Sequence, residues 1–366
     1  MRLLRGRLAG LVALVLGGVL GGAACGSTGQ QASTDGTTGA GGFITGAGGS
    51  GGHVASSSTH AVTSASSAGA GGSADKGPPY PFVLAHGFFG FQTFAGLDFE
   101  TYYFHVKDHL AAQGEIVDTP AVDPFNDSDY RGQQLLVAVQ DFLAATGASK
   151  VNIIGHSQGG LDARVVANLR PDLVASVVTV STPHQGSPVG DIAMKLLADP
   201  NAQAIIDALA QLLGGPLYDT VGHATSLTKA LELFSQPGIT AFNLEHPDSP
   251  GVFYASVAGR SALHGHGSDC DGDVVVPFIP SWNTTLDPLN ALFAVTELPL
   301  AGTTNLINDG LVRARDARWG EYWGCLPADH VDEVGQILGQ GPGLGNSWKY
   351  LDFYTQIIAY MRSRGY

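Results

Sequence analysis

Lys150-Val-Asn-Ile-Ile-Gly-His-Ser-Gln-Gly-Gly160 is the stretch on which the fold turns. Its opening, Lys150 to Ile154, is β-branched and bounded by glycine, as a short buried strand should be. Upstream, Arg131 to Thr146 places Leu135, Leu136, Val139, Phe142 and Leu143 at helical spacing, and Gly147 stops the run. Downstream, Leu161 to Leu169 is compatible with a second helix. The five residues Gly155 to Gly159 therefore fall between a strand and a helix, the context that gives a Gly-x-Ser-x-Gly pattern its meaning. A serine on so sharp a turn sits in strained backbone, and side chains at the flanking positions would collide. Gly155 and Gly159 remove those collisions, and the helix N-terminus behind Ser157 favours developing negative charge. An α/β architecture follows, a mostly parallel central sheet flanked by helices, with Ser157 as its candidate nucleophile.

A serine that attacks an acyl carbon needs two donors for the oxyanion. One is expected to be the backbone N–H of Gln158. The other comes from the loop after an earlier strand. Phe82 to Ala85 reads as that strand and runs into His86-Gly-Phe-Phe-Gly90, so the N–H of Phe88 is the second candidate. His86 precedes the serine, whereas the chain order in such folds is serine, acid, histidine; it is read as a loop-shaping residue.

Six histidines follow Ser157: His184, His223, His246, His264, His266 and His330. The base belongs in a loop near the C-terminus after the last strand. His330 fits, with a short helical stretch expected over Val331 to Leu338 and a longer one over Trp348 to Met361. His184 follows the strand Val174 to Val180 in a turn and reads as structural. His264 and His266 lie beside Asp269, Asp271 and Asp273, where a solvated loop is favoured over a metal site. For the acid, Asp309 lies at an expected loop-to-strand junction before Leu311-Val312, and Asp287 in Leu286-Asp287-Pro288 competes with it. Position alone favours Asp309 only modestly.

The rest of the 366-residue chain is uneven. Residues 1–24 carry Arg2, Arg5 and Arg7, then an uncharged apolar run and a small-residue exit, the pattern of an export signal. The run is short for a membrane span, which takes about 20 residues, and none comparable follows. The signal ends Gly22-Ala-Ala-Cys25, which reads either as a lipoprotein processing site acylating Cys25 or as ordinary cleavage after Ala24. Residues 25–77 are rich in Gly, Ser, Thr and Ala, cannot bury enough surface to offset ordering, and read as a flexible tether. The folded part is then 78–366, long enough for one domain with a sizeable core. Cys270 and Cys325 can pair in an oxidising compartment, leaving Cys25 as the odd thiol. A net charge of −14 argues against nucleic acid and anionic surfaces as partners. The chain is expected to be exported, either secreted or held at the outer membrane or cell surface as a lipoprotein.

Several stretches together resemble the secreted triacylglycerol lipases of the Pseudomonas and Burkholderia type. They are Tyr80-Pro-Phe-Val-Leu-Ala-His-Gly87, Arg131-Gly-Gln-Gln-Leu-Leu136, Lys150 to Gly160, Arg170-Pro-Asp-Leu-Val-Ala-Ser176, Thr182-Pro-His-Gln-Gly-Ser187, Asn308-Asp-Gly-Leu-Val312 and His330-Val-Asp-Glu-Val334. They span nearly the whole folded part in family order. The resemblance implies an α/β-hydrolase fold with a helical lid insertion, here about 191–243, and hydrolysis of carboxylic esters through an acyl-enzyme. It places the catalytic acid at Asp309 and the base at His330. It moves Asp287 to the first carboxylate of a structural calcium site, with Asp332 as the second and the backbone carbonyls of Gln336 and Gln340 completing it. A lipid ester at a lipid–water interface is the implied partner, and a lipase-specific foldase is a further one. Three departures stand out. Cys325 lies closer to His330 than the family's second cysteine does, so a Cys270–Cys325 pair is not a position-by-position match. The lid stretch is poorly similar, and the family has no such tether as a general feature.

Within that stretch, Asp199 to Leu213 keeps Gln203, Asp207 and Gln211 on one narrow stripe of an otherwise apolar helix. It reads as a lid over an acyl pocket or as an ordinary core helix. A triacylglycerol lipase is the leading reading; a short-chain esterase, or a phospholipase or acyltransferase with the same triad, are the alternatives. A non-catalytic lipid-binding surface protein is disfavoured, because nucleophile, acid and base are all present.

Overall fold

The computed structural model describes residues 77–88, 90, 102–198, 221–261, 267–280, 296, 300–302, 306–337, 339–343 and 345–366. The export signal, Cys25, nearly all of the tether, Asp199 to Leu213, His264, His266 and Asp287 lie outside them. Within the described residues six strands form one sheet: β1 (Phe82–Ala85), β2 (Val117–Asp118), β3 (Val151–His156), β4 (Val174–Val180), β5 (Phe253–Gly259) and β6 (Glu321–Leu326). Their order is β2-β1-β3-β4-β5-β6, and every neighbouring pair is parallel. Leu84 stands opposite Ile154, Gly155 opposite Thr179, and Val178 opposite Ala255. β3 and β4 are buried along their whole length, as the central strands of a parallel sheet covered on both faces must be.

Among the described residues the helices are α1 (Val106–Ala111), α2 (Ser128–Thr146), α3 (Gln158–Leu169), α4 (Pro188–Leu196), α5 (Leu227–Leu233), α6 (Gln236–Glu245) and α7 (Tyr350–Ser363). Side chains alternate along each strand, so the sheet faces two different cores. On one face Phe82, Leu84, Ile154 and Val178 pack with Val106 and Leu110 of α1 and Phe353, Ile357 and Met361 of α7. On the other, Val83, Ile153 and Val177 meet Leu135 and Val139 of α2 and Ala163 and Val166 of α3. α2 starts where the Asp127 side chain accepts the N–H of Tyr130 at 2.8 Å and stops at Gly147, φ 68°. Leu233, Ile239 and Phe242 seat α5 and α6 on Leu161 and Val165 of α3. No helix among the described residues is long and apolar enough to cross a membrane. Cys270 and Cys325 are joined in a disulfide between the loop after β5 and β6.

Two local expectations are corrected. Val331 to Ile337 forms a run of turns, not a helix, because the Asp329 side chain accepts the N–H groups of Val331 and Asp332 at 3.1 Å each and Gly335 takes φ 63°. Leu311-Val312 begins no strand: Asn308 and Arg313 form an isolated antiparallel bridge around a tight turn at Gly310, φ 97°.

Candidate active site

Ser157 sits between the end of β3 and the first residue of α3, at φ 55° and ψ −129°. For a residue with a side chain that is a strained backbone, held by its N–H bond to Val180 O at 2.8 Å and by Thr182 Oγ1, which donates to Ser157 O at 2.7 Å. The flanking glycines have a direct steric reason. A Cβ on Gly159 would lie 2.1 Å from Ala85 O, and one on Gly155 would lie 2.5 Å from Gly159 O. The elbow can pass under the end of β1 only if both positions lack side chains.

The two expected oxyanion donors arrive from either side. Gln158 is the first residue of α3, so no carbonyl of its own helix can accept its N–H. Phe88 follows Gly87, whose backbone is so close to the elbow that a Cβ on it would lie 2.6 Å from Ser157 Cβ. The Phe88 ring packs edge-on against Phe125 and Phe234, with centroids 6.1 and 5.9 Å away.

This loop is fastened from behind by a residue whose role the sequence pattern did not disclose. Arg131 of α2 and Asp162 of α3, both fully buried, form an ion pair at 2.7 Å. The same guanidinium donates from Nη2 to His86 O at 2.6 Å and from Nη1 to Asp123 O at 2.8 Å. Planar, multidentate recognition of this kind is what arginine supplies and lysine does not. His86 Nδ1–H donates to Gly87 O at 2.9 Å while Nε2 accepts the N–H of Val122 at 3.0 Å. Burial, and secondarily the charge of Arg131, hold His86 down at about 3, so it stays neutral and braces the loop.

At the far ends of β5 and β6, Asp309 and His330 meet. His330 Nδ1 lies 2.8 Å from Asp309 Oδ2, with both side chains almost wholly buried. The other carboxylate oxygen of Asp309 accepts the N–H groups of Leu311 and Val312 at 2.9 and 2.7 Å, and His330 N donates to Asp309 O at 3.0 Å. With Asp309 accepting at Nδ1, the Nε2 of neutral His330 is the ring's basic nitrogen. The His330 ring lies 4.6 Å from that of His156, the residue before Ser157.

The other described histidines after Ser157 are differently employed. His184 is buried against Thr179 and Arg164 and stacked on Trp319; burial, then Arg164, holds it well below the usual imidazole range. His223 is exposed, and His246 pairs with the half-exposed Asp129. Of the expected calcium ligands, Asp332 is buried, Gln336 is half-buried and Gln340 is exposed, all on the turns after His330. Around Asp269, Asp271 and Asp273, Asp273 is paired with Arg318 at 3.0 Å and accepts the N–H of Tyr322 at 2.9 Å.

Comparison with known proteins identifies the family. Residues 80–220 match the family model described as the alpha/beta hydrolase fold. The chain is 33% identical over 274 residues to the triacylglycerol lipase of Vibrio cholerae serotype O1, covering 71% of this chain and 81% of that one. It is 31% identical over 293 residues to the triacylglycerol lipase of Burkholderia plantarii, covering 71% and 80%. Among solved structures, the lipase of Staphylococcus hyicus superposes with a TM-score of 0.56 at 17% identity over 79% of this chain and 98% of that one, a likeness of fold. An all-parallel sheet, a strained serine at its carboxyl edge and this degree of identity have one common reading: the chain is a serine ester hydrolase and belongs to the triacylglycerol lipase family of the α/β-hydrolase fold.

Proposed function

We propose that Ser157, His330 and Asp309 form the catalytic triad and that the chain hydrolyses triacylglycerols at a lipid–water interface. The observation that carries this is the buried Asp309–His330 pair, 2.8 Å apart, beside an elbow whose serine stands at φ 55°. His330 takes the proton of Ser157 as the hydroxyl attacks the ester carbonyl, while Asp309 keeps the imidazole in one tautomer and stabilises its charged form. The N–H groups of Phe88 and Gln158 receive the oxyanion. His330 then protonates the leaving alcohol, and water attacks the acyl-enzyme by the same steps in reverse. The rings of Phe88, Phe125 and Phe234 support an apolar acyl chain beside the oxyanion loop.

A structural calcium ion fits the donors at hand. Asp332 is a buried carboxylate on a loop of successive turns, and Gln336 and Gln340 bring backbone carbonyls on the same loop. Calcium takes such mixed oxygen donors. Bound there with Asp287, it would staple the loop that carries His330. Export through residues 1–24, a tether over 25–77, a lipid anchor at Cys25, a lid within 191–243 and assistance by a foldase complete the proposal; the sequence patterns and the resemblance support them.

One experiment tests the core: hydrolysis of a triacylglycerol series by the purified protein and its Ser157→Ala variant, each with and without a calcium chelator. Activity on long-chain esters that rises above their solubility limit and vanishes in the variant is expected, and chelation should lower the melting temperature. Ester hydrolysis surviving in Ser157→Ala refutes the triad; equal preference for monomeric short esters makes the chain an esterase of the same family.

A further inference from the structure

Behind the site runs a buried chain of hydrogen bonds that the mechanism above does not use. The Tyr102 hydroxyl packs directly against Gly87 and lies 2.6 Å from His156 Nδ1. His156 Nε2 lies 2.9 Å from Glu333 Oε2, and Ser181 Oγ donates to Glu333 Oε1 at 2.7 Å. Ser181 Oγ in turn accepts the N–H of Gly259 at 2.8 Å. His156, Ser181 and Glu333 are fully buried and Tyr102 nearly so.

His156 stands at the centre of this chain. Burial holds His156 well below the usual imidazole range, so it is neutral, with one donor and one acceptor nitrogen. Its Nε2 faces Glu333, which accepts from Ser181 on its other oxygen, and its Nδ1 faces the Tyr102 hydroxyl. Each member also stands next to a residue of the proposed reaction. Gly87 precedes Phe88, His156 precedes Ser157, and Glu333 lies three residues after His330. At the far end, a Cβ on Gly259 would lie 2.9 Å from Asp309 Cβ. Oxyanion loop, elbow, acid and base loop, drawn from four separate stretches, are thus joined by one set of side chains.

We propose that Tyr102, His156 and Glu333 are positioning residues that hold the Phe88 amide and the His330 loop in register with Ser157, with the Tyr102 hydroxyl as the link that fixes the oxyanion loop. This rests on the assignment of Ser157, His330 and Asp309. Gly87 is packed tightly enough that a Cβ there would lie 2.4 Å from the Tyr102 oxygen, so the loop has no slack in that direction while the hydroxyl is present. Without the hydroxyl the loop can relax away from the elbow. The Phe88 N–H acts on charge that develops only in the transition state, so the loss falls on kcat and leaves KM in place.

The test compares Tyr102→Phe with Tyr354→Phe. Tyr354 is a fully buried tyrosine whose hydroxyl has no hydrogen-bond partner among the described residues, so its loss removes the same atom without breaking a bond. Turnover of a soluble ester is divided by the number of sites that a p-nitrophenyl phosphonate has labelled at completion, counted by mass spectrometry, so that unfolded protein does not count. Tyr102→Phe should lose about 10- to 100-fold in kcat per labelled site, short of the 10²–10³ lost with a whole oxyanion donor, with KM within about twofold. Tyr354→Phe should match the parent. Because Glu333→Gln breaks the same chain at its other end, the double variant Tyr102→Phe/Glu333→Gln should lose less than the product of the two single losses. Parental kcat per labelled site in Tyr102→Phe, or losses that simply multiply, overturn the proposal. Failure of the underlying site assignment looks different: the parent protein hydrolyses no ester, or Ser157→Ala still does.

Discussion

Removing the guanidinium of Arg131 should separate two quantities that usually fall together, stability and turnover. In Arg131→Met the carboxylate of Asp162 keeps its fully buried position and loses the cation 2.7 Å away. Breaking one side of such a pair costs about 3–5 kcal/mol. At roughly 2–4 °C per kcal/mol the melting temperature should fall by something on the order of 10 °C. Burial already pushes the Asp162 carboxyl up against the opposing pull of Arg131. The single variant should therefore regain some stability as the pH falls and Asp162 takes up a proton. Arg131→Met/Asp162→Leu removes both charges, and an apolar pair of similar volume should recover most of the loss. Turnover should not return with it. The carbonyl of His86, bonded at 2.6 Å in the parent, still has no donor behind it, and the loop that carries Phe88 N–H is unfastened. A displacement near 1 Å at such a group costs up to about 100-fold; we expect at least 10-fold in kcat with KM little changed. Calorimetry and steady-state kinetics on a soluble ester give both numbers. A double variant with full kcat, or a single variant with an unshifted melting temperature, refutes this account of Arg131.

Three further outcomes are expected. His86, His156 and His184 are held below the ordinary value of 6.5 chiefly by burial, so the unfolded chain binds protons that the folded chain does not. Their contribution is whole above about pH 6.5 and is lost as the pH falls, by up to about 1.4 kcal/mol per pH unit for each histidine; calorimetry that finds a constant melting temperature from pH 7.5 to 5 contradicts their neutral burial. Replacing Cys270 and Cys325 by alanine opens a loop with a sequence separation of 55 and should cost about 4 kcal/mol, read from denaturant unfolding; a loss under about 1 kcal/mol would show that the link constrains little. Gly159→Ala, whose Cβ would lie 2.1 Å from Ala85 O, should yield little folded protein, and a soluble, active variant would mean that the elbow has room it does not show here.

How far the chain could be read in advance depended on range. β3, the elbow and α3 are contiguous, and each leaves a local mark: a β-branched run, two glycines, a helical period. β1 and β4 were legible for the same reason, as short apolar runs, Phe82-Val-Leu-Ala85 and the valine-rich Val174 to Val180. β5 and β6 were not, since Phe253-Tyr-Ala-Ser-Val-Ala-Gly259 is mostly small and β6 contains Gly324 at φ 110°. The turns of Val331 to Ile337 resembled a helix because Val331, Val334 and Ile337 recur every third position; the Asp329 side chain and Gly335 overrule that propensity. At the site, Ser157 and Gln158 were readable from the elbow, Phe88 from the strand before it and His330 from its place late in the chain. The choice of Asp309 over Asp287 needed the family resemblance. The residues behind the site were beyond reach, because Arg131 is 31 residues from Asp162 and His156 is 177 from Glu333. Partnerships at that distance leave no periodic signal.

The seat of α7 has a consequence for how the protein is made. Arg362 donates from Nη1 to Tyr80 O at 2.7 Å, pairs with Glu115, and stands over the Phe82 ring at 4.7 Å. The strand that leads into the oxyanion loop is thus latched by a helix 282 positions downstream. During synthesis, β1 emerges early and must wait for that helix, with one apolar face unclosed. Contacts of such long range close late and slowly. A chain cut before Tyr350 would keep every group of the proposed triad and still lack the latch, so such fragments should aggregate instead of showing partial activity.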